Sequence, residues 1–375
     1  MDFELTDEQV MLRDTVRDLL ARTYDPETRL KVTDTELGWS REVWNQLAEL
    51  GVLGLPFAEE DGGVGAGPVE TMVVLQEVGR RLAPEPIVDA VYVPGTLVAL
   101  AGSAEQRGRV LPDIVSGAKL LAFAHAEPGT RWPSSELATS ATATGDAYTL
   151  TGTKNPVPHG GCADELVVSA VLPGGGVGLF LVAPDAAGVV RKSYSTVDGS
   201  RGAQIELDNA PAELLGDSLD AAEPVLAALT QAHALLGAES VGAMEEALRL
   251  TTDYLKARKQ FGVTLSKFQT LTQRAANMYV ALELARSMSL YATASLADGA
   301  VDPVIASRAR LQIGRSARLV GQEAIQMHGG IGVTAEYPVG HYVARLTAIE
   351  RTLGGSLEHL TVLAARVGDY ELPEL

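Results

Sequence analysis

The chain has 375 residues, 46% hydrophobic and 21% charged, which suits a sizeable core spread over two or three layers or domains and excludes wholesale disorder. A net charge of −18 excludes a nucleic-acid partner, which needs clustered Lys and Arg, and 5% aromatic content leaves few rings to stack on a flat cofactor. The single cysteine, Cys162, excludes an internal disulfide and a Cys-x-x-Cys site, and no metal is expected.

The chain opens on MDFELTDEQV, which is acidic and has no basic segment leading into an apolar run, so no secretory signal is expected. TDEQVMLRDTVRDLLART predicts a helix capped by Thr6, with Asp7 and Glu8 in its first turn and Val10, Leu12, Val16, Leu19 and Leu20 as its apolar stripe. SREVWNQLAELGVLGL repeats this logic between a cap at Ser40 and a stop at Gly51. GPVETMVVLQEVGRRLA and GSAEQRGRVLPDIVSGA predict further helices, so residues 1–118 read as an N-terminal α domain. The texture changes near Lys119. LLAFAHA, LATSATATG, AYTLTGTKNPV, ELVVSAVL, GVGLFLVA, GVVRKSYST and AQIELDNA are short period-two runs divided by Gly, Pro and Asp. Residues 119–216 are read as a small, barrel-like β domain.

From Ala221 three long Ala/Leu-rich patterns follow, the last with Asp302 as cap and Pro303 in its first turn. Antiparallel helices of this length pack as a bundle, so residues 217–375 are expected to form a C-terminal four-helix bundle domain. The fold class is α+β. No run reaches about 18 uninterrupted apolar residues, so no membrane span is expected. The longest candidate, VLAALTQAHALLGAESVG, contains Gln231, His233 and Glu239, and the expected setting is the cytoplasm.

Two motifs carry chemistry. RKQFGVTLSKFQ sets Arg258, Phe261, Gly262, Phe268 and Gln269 where one helix ends and the next begins. QMHGGIGVTAEYP offers the Gln326 amide beside Gly329, Gly330 and Gly332, which permit close approach of a ligand to the backbone. Arg258 supplies a fixed charge and bidentate donors, so a phosphate cradle is one reading; a bundle corner with a solvated Arg and a Gly-rich turn is the other. Together, in this order, the motifs resemble the acyl-CoA dehydrogenase family. The resemblance spans the chain: the α–β–α order, F-x-L-T-x-E-Q from Phe3, AEPG from Ala126 to Gly129, G-x-K from Gly152 to Lys154, and both C-terminal motifs. Within the family the chain is most similar to the small subunits of bacterial dehydrogenases acting on dicarboxylyl or other unusual acyl-CoAs, such as pimeloyl-CoA.

The resemblance implies FAD, a homo- or hetero-oligomer, an acyl-CoA substrate and an electron-transfer flavoprotein as electron acceptor. A glutamate takes the α-proton while the β-hydride goes to the flavin, and hydrogen bonds to the thioester carbonyl make that proton acidic enough to remove. Several positions depart from this pattern. The resemblance places the base nine residues after Arg345, and that residue is Gly354; a gap-free count from Pro338 gives Leu353 instead. The alternative base position implied on the first long helix of the bundle is Ala232, followed by His233 where an Arg is implied. Flavin-ring donors implied in the β domain fall on Ala126, Pro156 and Pro158, and the pantetheine contact on Arg131, Trp132 and Pro133. By contrast Arg258, Phe261, Gln269, Gln326 and Gly330, which the resemblance assigns to the pyrophosphate and adenine of a neighbouring subunit's FAD, are kept.

The coherent expectation is a partner subunit that completes a second acyl-CoA dehydrogenase chain's FAD site without running its own. An active dehydrogenase with a relocated base is the alternative, and Glu350 and Glu239 are the fallback carboxylates. A flavin monooxygenase or oxidase on the same fold, and a non-enzymatic scaffold, are two more. His328, His341 and Cys162 read as structural, and Asp198, Gly199 and Arg201 as a turn before a strand.

Overall fold

The computed structural model describes residues 4–130, 136–145, 147–217 and 220–369. They form two compact units grouped by contact rather than by chain order. One draws on Met1–Leu30, Met72–Ala83 and His233–Leu375, the other on Lys31–Thr71 and Pro84–Ala232.

The first six helices are α1 (Asp7–Thr23), α2 (Pro26–Thr33), α3 (Arg41–Glu49), α4 (Pro68–Arg81), α5 (Val93–Ala101) and α6 (Ala104–Val115). Thr6 and Ser40 cap α1 and α3 as their sequences predict, and Thr6 forms a reciprocal capping box with Gln9. Gly51 takes a left-handed φ of 74° just past α3, a conformation open to glycine at no steric cost. α2 and α5 are additions to the sequence reading. The stretch VDAVYVPGTLVALA, from Val88 into α5, has almost no polar face, so it shows no helical period to read. It is mostly buried, and Tyr92 within it donates to the Val52 carbonyl at 2.6 Å.

Seven strands follow: β1 (Leu121–Ala124), β2 (Ser140–Thr144), β3 (Ala147–Pro158), β4 (Glu165–Val171), β5 (Val177–Val182), β6 (Val189–Ser195) and β7 (Arg201–Leu214). The ladder β4–β2–β3–β7–β5 returns to β4, closing a ring of five strands, with β1 added on β4 and β6 on β7. Closure is narrow at two seams, Ser140 against Val171 and Phe180–Leu181 against Leu214–Glu213. The expected barrel is thus formed, and its core includes Leu150, Val157, Leu166, Val168, Phe180 and Ile205. Pro156 has no amide to give, and the β3–β7 register slips across it, from Lys154 on Ile205 to Val157 on Ala203.

The helical unit contains α7 from His233 onward (the whole helix is Ala222–Ala257), α8 (Gln269–Ala297), α9 (Pro303–His328), α10 (Val339–Arg351) and α11 (Ser356–Ala364). Helices α7 to α10 share one core, built from residues such as Met244, Leu248, Met278, Leu282, Ile313, Val320, Tyr342 and Leu346. A short hairpin, β8 (Lys259–Gln260) and β9 (Val263–Thr264), links α7 to α8. Asp302 caps α9 as predicted, accepting from the amides of Val304 and Ile305. Asp302→Ala is expected to cost about 1 kcal/mol in thermal denaturation, with Asp302→Asn recovering most of it.

Candidate functional site

In the helical unit Gly354 lies in the turn between α10 and α11, at φ 91°, beside Leu353 at φ 57°. No side chain extends from the expected base position. The fallback carboxylates are both engaged. Glu350 Oε1 accepts from the amide of Ser356 at 2.9 Å, at the head of α11. Glu239 is 3% exposed in its side chain and accepts from Nε and Nη2 of Arg345, at 2.6 and 2.9 Å. Arg345, which indexes the base position in sequence, therefore neutralises one of its substitutes in space. Ala232 is buried on α7, and His233 next to it lies edge-on to His359 at 5.0 Å between ring centroids.

Burial pushes the His233 imidazole well below its usual range, with Arg310 adding to the effect. Burial and Arg310 likewise hold His359 at about 4, against the pull of the Gly354 and Leu353 carbonyls. Both rings are neutral at pH 7 and too weak as bases to match a catalytic task. Arg310 and His359 were not among the residues singled out from the sequence. Arg310 had a signal: it interrupts the stripe Ala306, Ala309, Ile313, Ala317 on α9 and is buried with it.

The motif residues Arg258, Phe261, Gln269, Gln326 and Gly330 are exposed, and Phe261 is 92% exposed at the hairpin tip. The backbone beneath them is held firmly. Arg258 N donates to Tyr254 O and its carbonyl accepts from Leu265 N, both at 2.8 Å. Gly329 closes α9 at φ 64°, and a Cβ on Gly329 or Gly330 would meet nothing within 4 Å. His328 and His341 act as anchors for this turn: His328 Nδ1 sits 2.8 Å from Ala324 O with its ring against those of Tyr254 and Tyr337, and His341 Nε2 is 2.9 Å from Ala335 O. Exposed at the hairpin and at the end of α9, a guanidinium, two carboxamides, a ring and an open glycine turn are groups of the types that could bind a phosphate and a nucleotide.

The three barrel positions singled out from the sequence carry few donors. Ala126 has no side-chain donor, and its carbonyl is taken by Asn155 N at 2.8 Å. Pro156 and Pro158 have neither a side-chain nor a backbone donor. Arg131, Trp132 and Pro133 lie outside the described residues. What the barrel does hold is a buried ion pair. Lys154 Nζ meets Glu127 Oε1 at 2.7 Å, and Glu127 also accepts from the amides of Ala138 and Thr139 at 2.6 and 3.0 Å. Burial opposes the Glu127 charge, but hydrogen bonds from Lys154, Thr139 and Ala138 outweigh it and hold the carboxyl down at about 2. His125, stacked on Phe123, is kept neutral by burial and by Lys154, at about 4. Ala126, Pro156 and Pro158 thus present no side-chain donor to any ligand.

The smaller features are structural. Cys162 is half-buried, its thiol pushed up by burial and donating to His159 O at 3.3 Å. Asp198 and Gly199 form the turn read from sequence, and Arg201 reaches the carbonyls of Thr33, Thr35 and Glu36. Among the described residues no cluster of His, Cys, Asp and Glu could hold a metal, and no helix is long and apolar enough to cross a membrane.

Comparison with known proteins agrees with this architecture. Residues 6–118 match the acyl-CoA dehydrogenase N-terminal domain and residues 223–368 its C-terminal domain. A probable acyl-CoA dehydrogenase of Bacillus subtilis, YngJ, is 30% identical over 352 residues, covering 90% of this chain and 92% of that protein. A solved structure of a variant of the Tcur3481–Tcur3483 steroid ACAD superposes with a TM-score of 0.90 at 32% identity, over 97% of this chain and 98% of that one. The ChsE4–ChsE5 complex of Mycobacterium tuberculosis also superposes at 0.90, with 27% identity over 99% and 100% of the two chains. This chain therefore belongs to the acyl-CoA dehydrogenase family of FAD-dependent flavoproteins.

Proposed function

We propose that this chain is the non-catalytic partner subunit of a heteromeric acyl-CoA dehydrogenase. Arg258, Phe261, Gln269, Gln326 and Gly330 would hold the pyrophosphate and adenine half of an FAD whose ring, and whose base, belong to a second, non-identical chain of the same family. FAD supplies the hydride acceptor for α,β-desaturation of an acyl-CoA thioester; this chain supplies a phosphate clamp and a nucleotide platform. An electron-transfer flavoprotein is the proposed electron acceptor. The observation that carries the reading is Gly354, a base position with no side chain, while Glu350 and Glu239 are committed to Ser356 N and Arg345.

Two of the similar structures bear the names of protein pairs, Tcur3481–Tcur3483 and ChsE4–ChsE5, which favours a paired assembly here. The first is called a steroid ACAD, so a steroid acyl-CoA is the substrate class to try first, with a dicarboxylyl-CoA such as pimeloyl-CoA second. The relocated-base alternative requires Glu239 to leave Arg345 or Glu350 to leave the head of α11. A monooxygenase or oxidase meets the same shortage of ring donors at Ala126, Pro156 and Pro158.

The test is flavin content per chain, for the protein alone and co-expressed with a second acyl-CoA dehydrogenase-like chain from the same source that carries the base. The expected result is a colourless chain alone and a yellow complex with about one FAD per two chains, since each shared site needs one half from each kind of subunit. Arg258→Ala should then lower the flavin content of the complex. A lone chain carrying a full complement of FAD, bleached by an acyl-CoA, overturns the reading.

A further inference from the structure

The two motifs stand at the ends of two helices, Arg258 just past α7 and Gly329–Gly330 just past α9, and a cluster of three rings joins those ends. His328, the last residue of α9, lies 4.5 Å from the Tyr254 ring of α7 and 4.9 Å from the Tyr337 ring ahead of α10, between centroids. The two tyrosine rings are themselves 6.2 Å apart. These are separations at which aromatic pairs attract. Tyr254 is tied to the first motif, since its carbonyl accepts from Arg258 N at 2.8 Å. His328 is tied to the second. Gly329 follows it directly, and a Cβ on Gly332 would lie 3.0 Å from His328 Cβ, so the glycine turn folds back over this residue.

One protonation state of the ring suits this place. Nδ1 lies 2.8 Å from the Ala324 carbonyl, which can only accept, so Nδ1 carries the proton. Nε2 is then a lone pair, buried and with no hydrogen-bond partner among the described residues. A second proton would set a charged N–H there with no acceptor, in a residue 4% exposed. Tyr254 and Tyr337 are the titratable groups that face the ring. Asp253 and Arg249 on α7 bear on Tyr337, and Arg249 is paired with Glu246 and Asp253. On α9 itself Glu323 is paired with Arg274, and among the described residues no carboxylate forms an ion pair with His328. Burial accordingly lowers the imidazole from its ordinary 6.5, and only the Ala324 carbonyl pulls it back. We infer that His328 is the positioning residue of the nucleotide clamp: its neutral ring, packed on Tyr254 and Tyr337, sets Gln326 and the glycine turn in register with Arg258, and acid loosens the clamp by protonating that ring. This rests on the reading that these motifs hold the pyrophosphate and adenine of FAD, and adds that the hold depends on pH. The sign follows from the lowered imidazole: the contribution of the neutral ring is complete above 6.5 and is lost as pH falls below it.

The test is FAD affinity of the assembled complex from about pH 7.5 down to about pH 5, with the titration of His328 read separately by deuterium exchange at its Cε1 carbon and mass spectrometry. Native His328 should titrate below 6.5, and FAD affinity should fall by up to about tenfold per pH unit once the ring protonates. His328→Phe keeps a ring that cannot titrate but loses the donor to Ala324 O. It should weaken FAD binding at pH 7 by about threefold and flatten the acid loss. His328→Ala removes the ring and should weaken binding at pH 7 by about tenfold or more, so that phenylalanine restores part of what alanine loses. The inference is overturned if His328 titrates at or above 6.5, if His328→Phe keeps the native acid profile, or if His328→Ala holds FAD as tightly as the native chain. Where a variant does not fold, the titration of the native protein decides. Failure of the nucleotide reading is seen separately: Arg258→Ala then leaves the flavin content unchanged, while the His328 titration stands.

Discussion

Gly242→Ala is expected to destabilise this protein by about 2 kcal/mol, although alanine is the better helix former by about 1 kcal/mol. Gly242 on α7 and Gly79 on α4 face each other where the two helices cross. A Cβ on Gly242 would lie 1.8 Å from the Gln76 carbonyl oxygen, and one on Gly79 would lie 1.9 Å from that of Glu239. The obstacle in both cases is backbone, so no side-chain rotation relieves it and the helices must part. Parting them strains the ion pairs that flank the crossing. Glu77 is buried and takes Arg17 and Arg80, and Arg80 also reaches Glu245 at 2.7 Å. Gly108→Ala on α6 is the matched control. A Cβ there meets nothing within 4 Å, so that variant should gain up to about 1 kcal/mol from helix propensity. Thermal or urea denaturation of the two variants decides the matter: equal effects of one sign would show that the crossing tolerates a methyl group at Gly242.

Lys154→Met is expected to cost about 3 to 5 kcal/mol, the penalty of leaving the partner of a broken buried ion pair without its countercharge. The Lys154 side chain is fully buried and that of Glu127 nearly so. With Lys154 gone, Glu127 keeps the amides of Ala138 and Thr139 but loses its countercharge, and Ser169 loses a donor. The pH dependence follows from the direction of the shift. In the native protein the Glu127 carboxyl is held at about 2, below its ordinary value of 4.5, so it contributes stability above that ordinary value and loses it as pH falls through about 2. In Lys154→Met the remaining burial favours the protonated acid, so the deficit should be largest at neutral pH and shrink as pH falls toward 4. Adding Glu127→Gln removes the orphaned charge and should recover much of the loss. A Lys154→Met variant as stable as the native protein at pH 7 would show that the pair stabilises nothing.

Much of the fold was legible because it is local. The caps at Thr6, Ser40 and Asp302, the stop at Gly51 and the alternation in β1 to β7 are signals a few residues long, and each appears where its pattern predicts. Val88–Ala101 escaped because a stretch that is apolar almost throughout and mostly buried has no polar face to mark its period. The grouping of α1 and the end of α4 with the distant bundle helices is not a local property, since it depends on contacts such as Arg17 with Glu77 and Tyr342 with Arg80 O.

The candidate site divides along the same line. By itself the sequence determined the family, through motifs with fixed short spacings, and it determined that residue 354 is a glycine. Only the tertiary structure decided what the nearby carboxylates do. Glu239 and Arg345 stand 106 residues apart and meet as a bidentate pair. Glu350 turns back to the amide of Ser356, and Arg310 reaches across from α9 to the carbonyls of the same turn. A carboxylate's chemistry is set by which charge or hydrogen-bond donor lies within about 3 Å of it, and that proximity is made by packing distant helices together rather than by any run of residues.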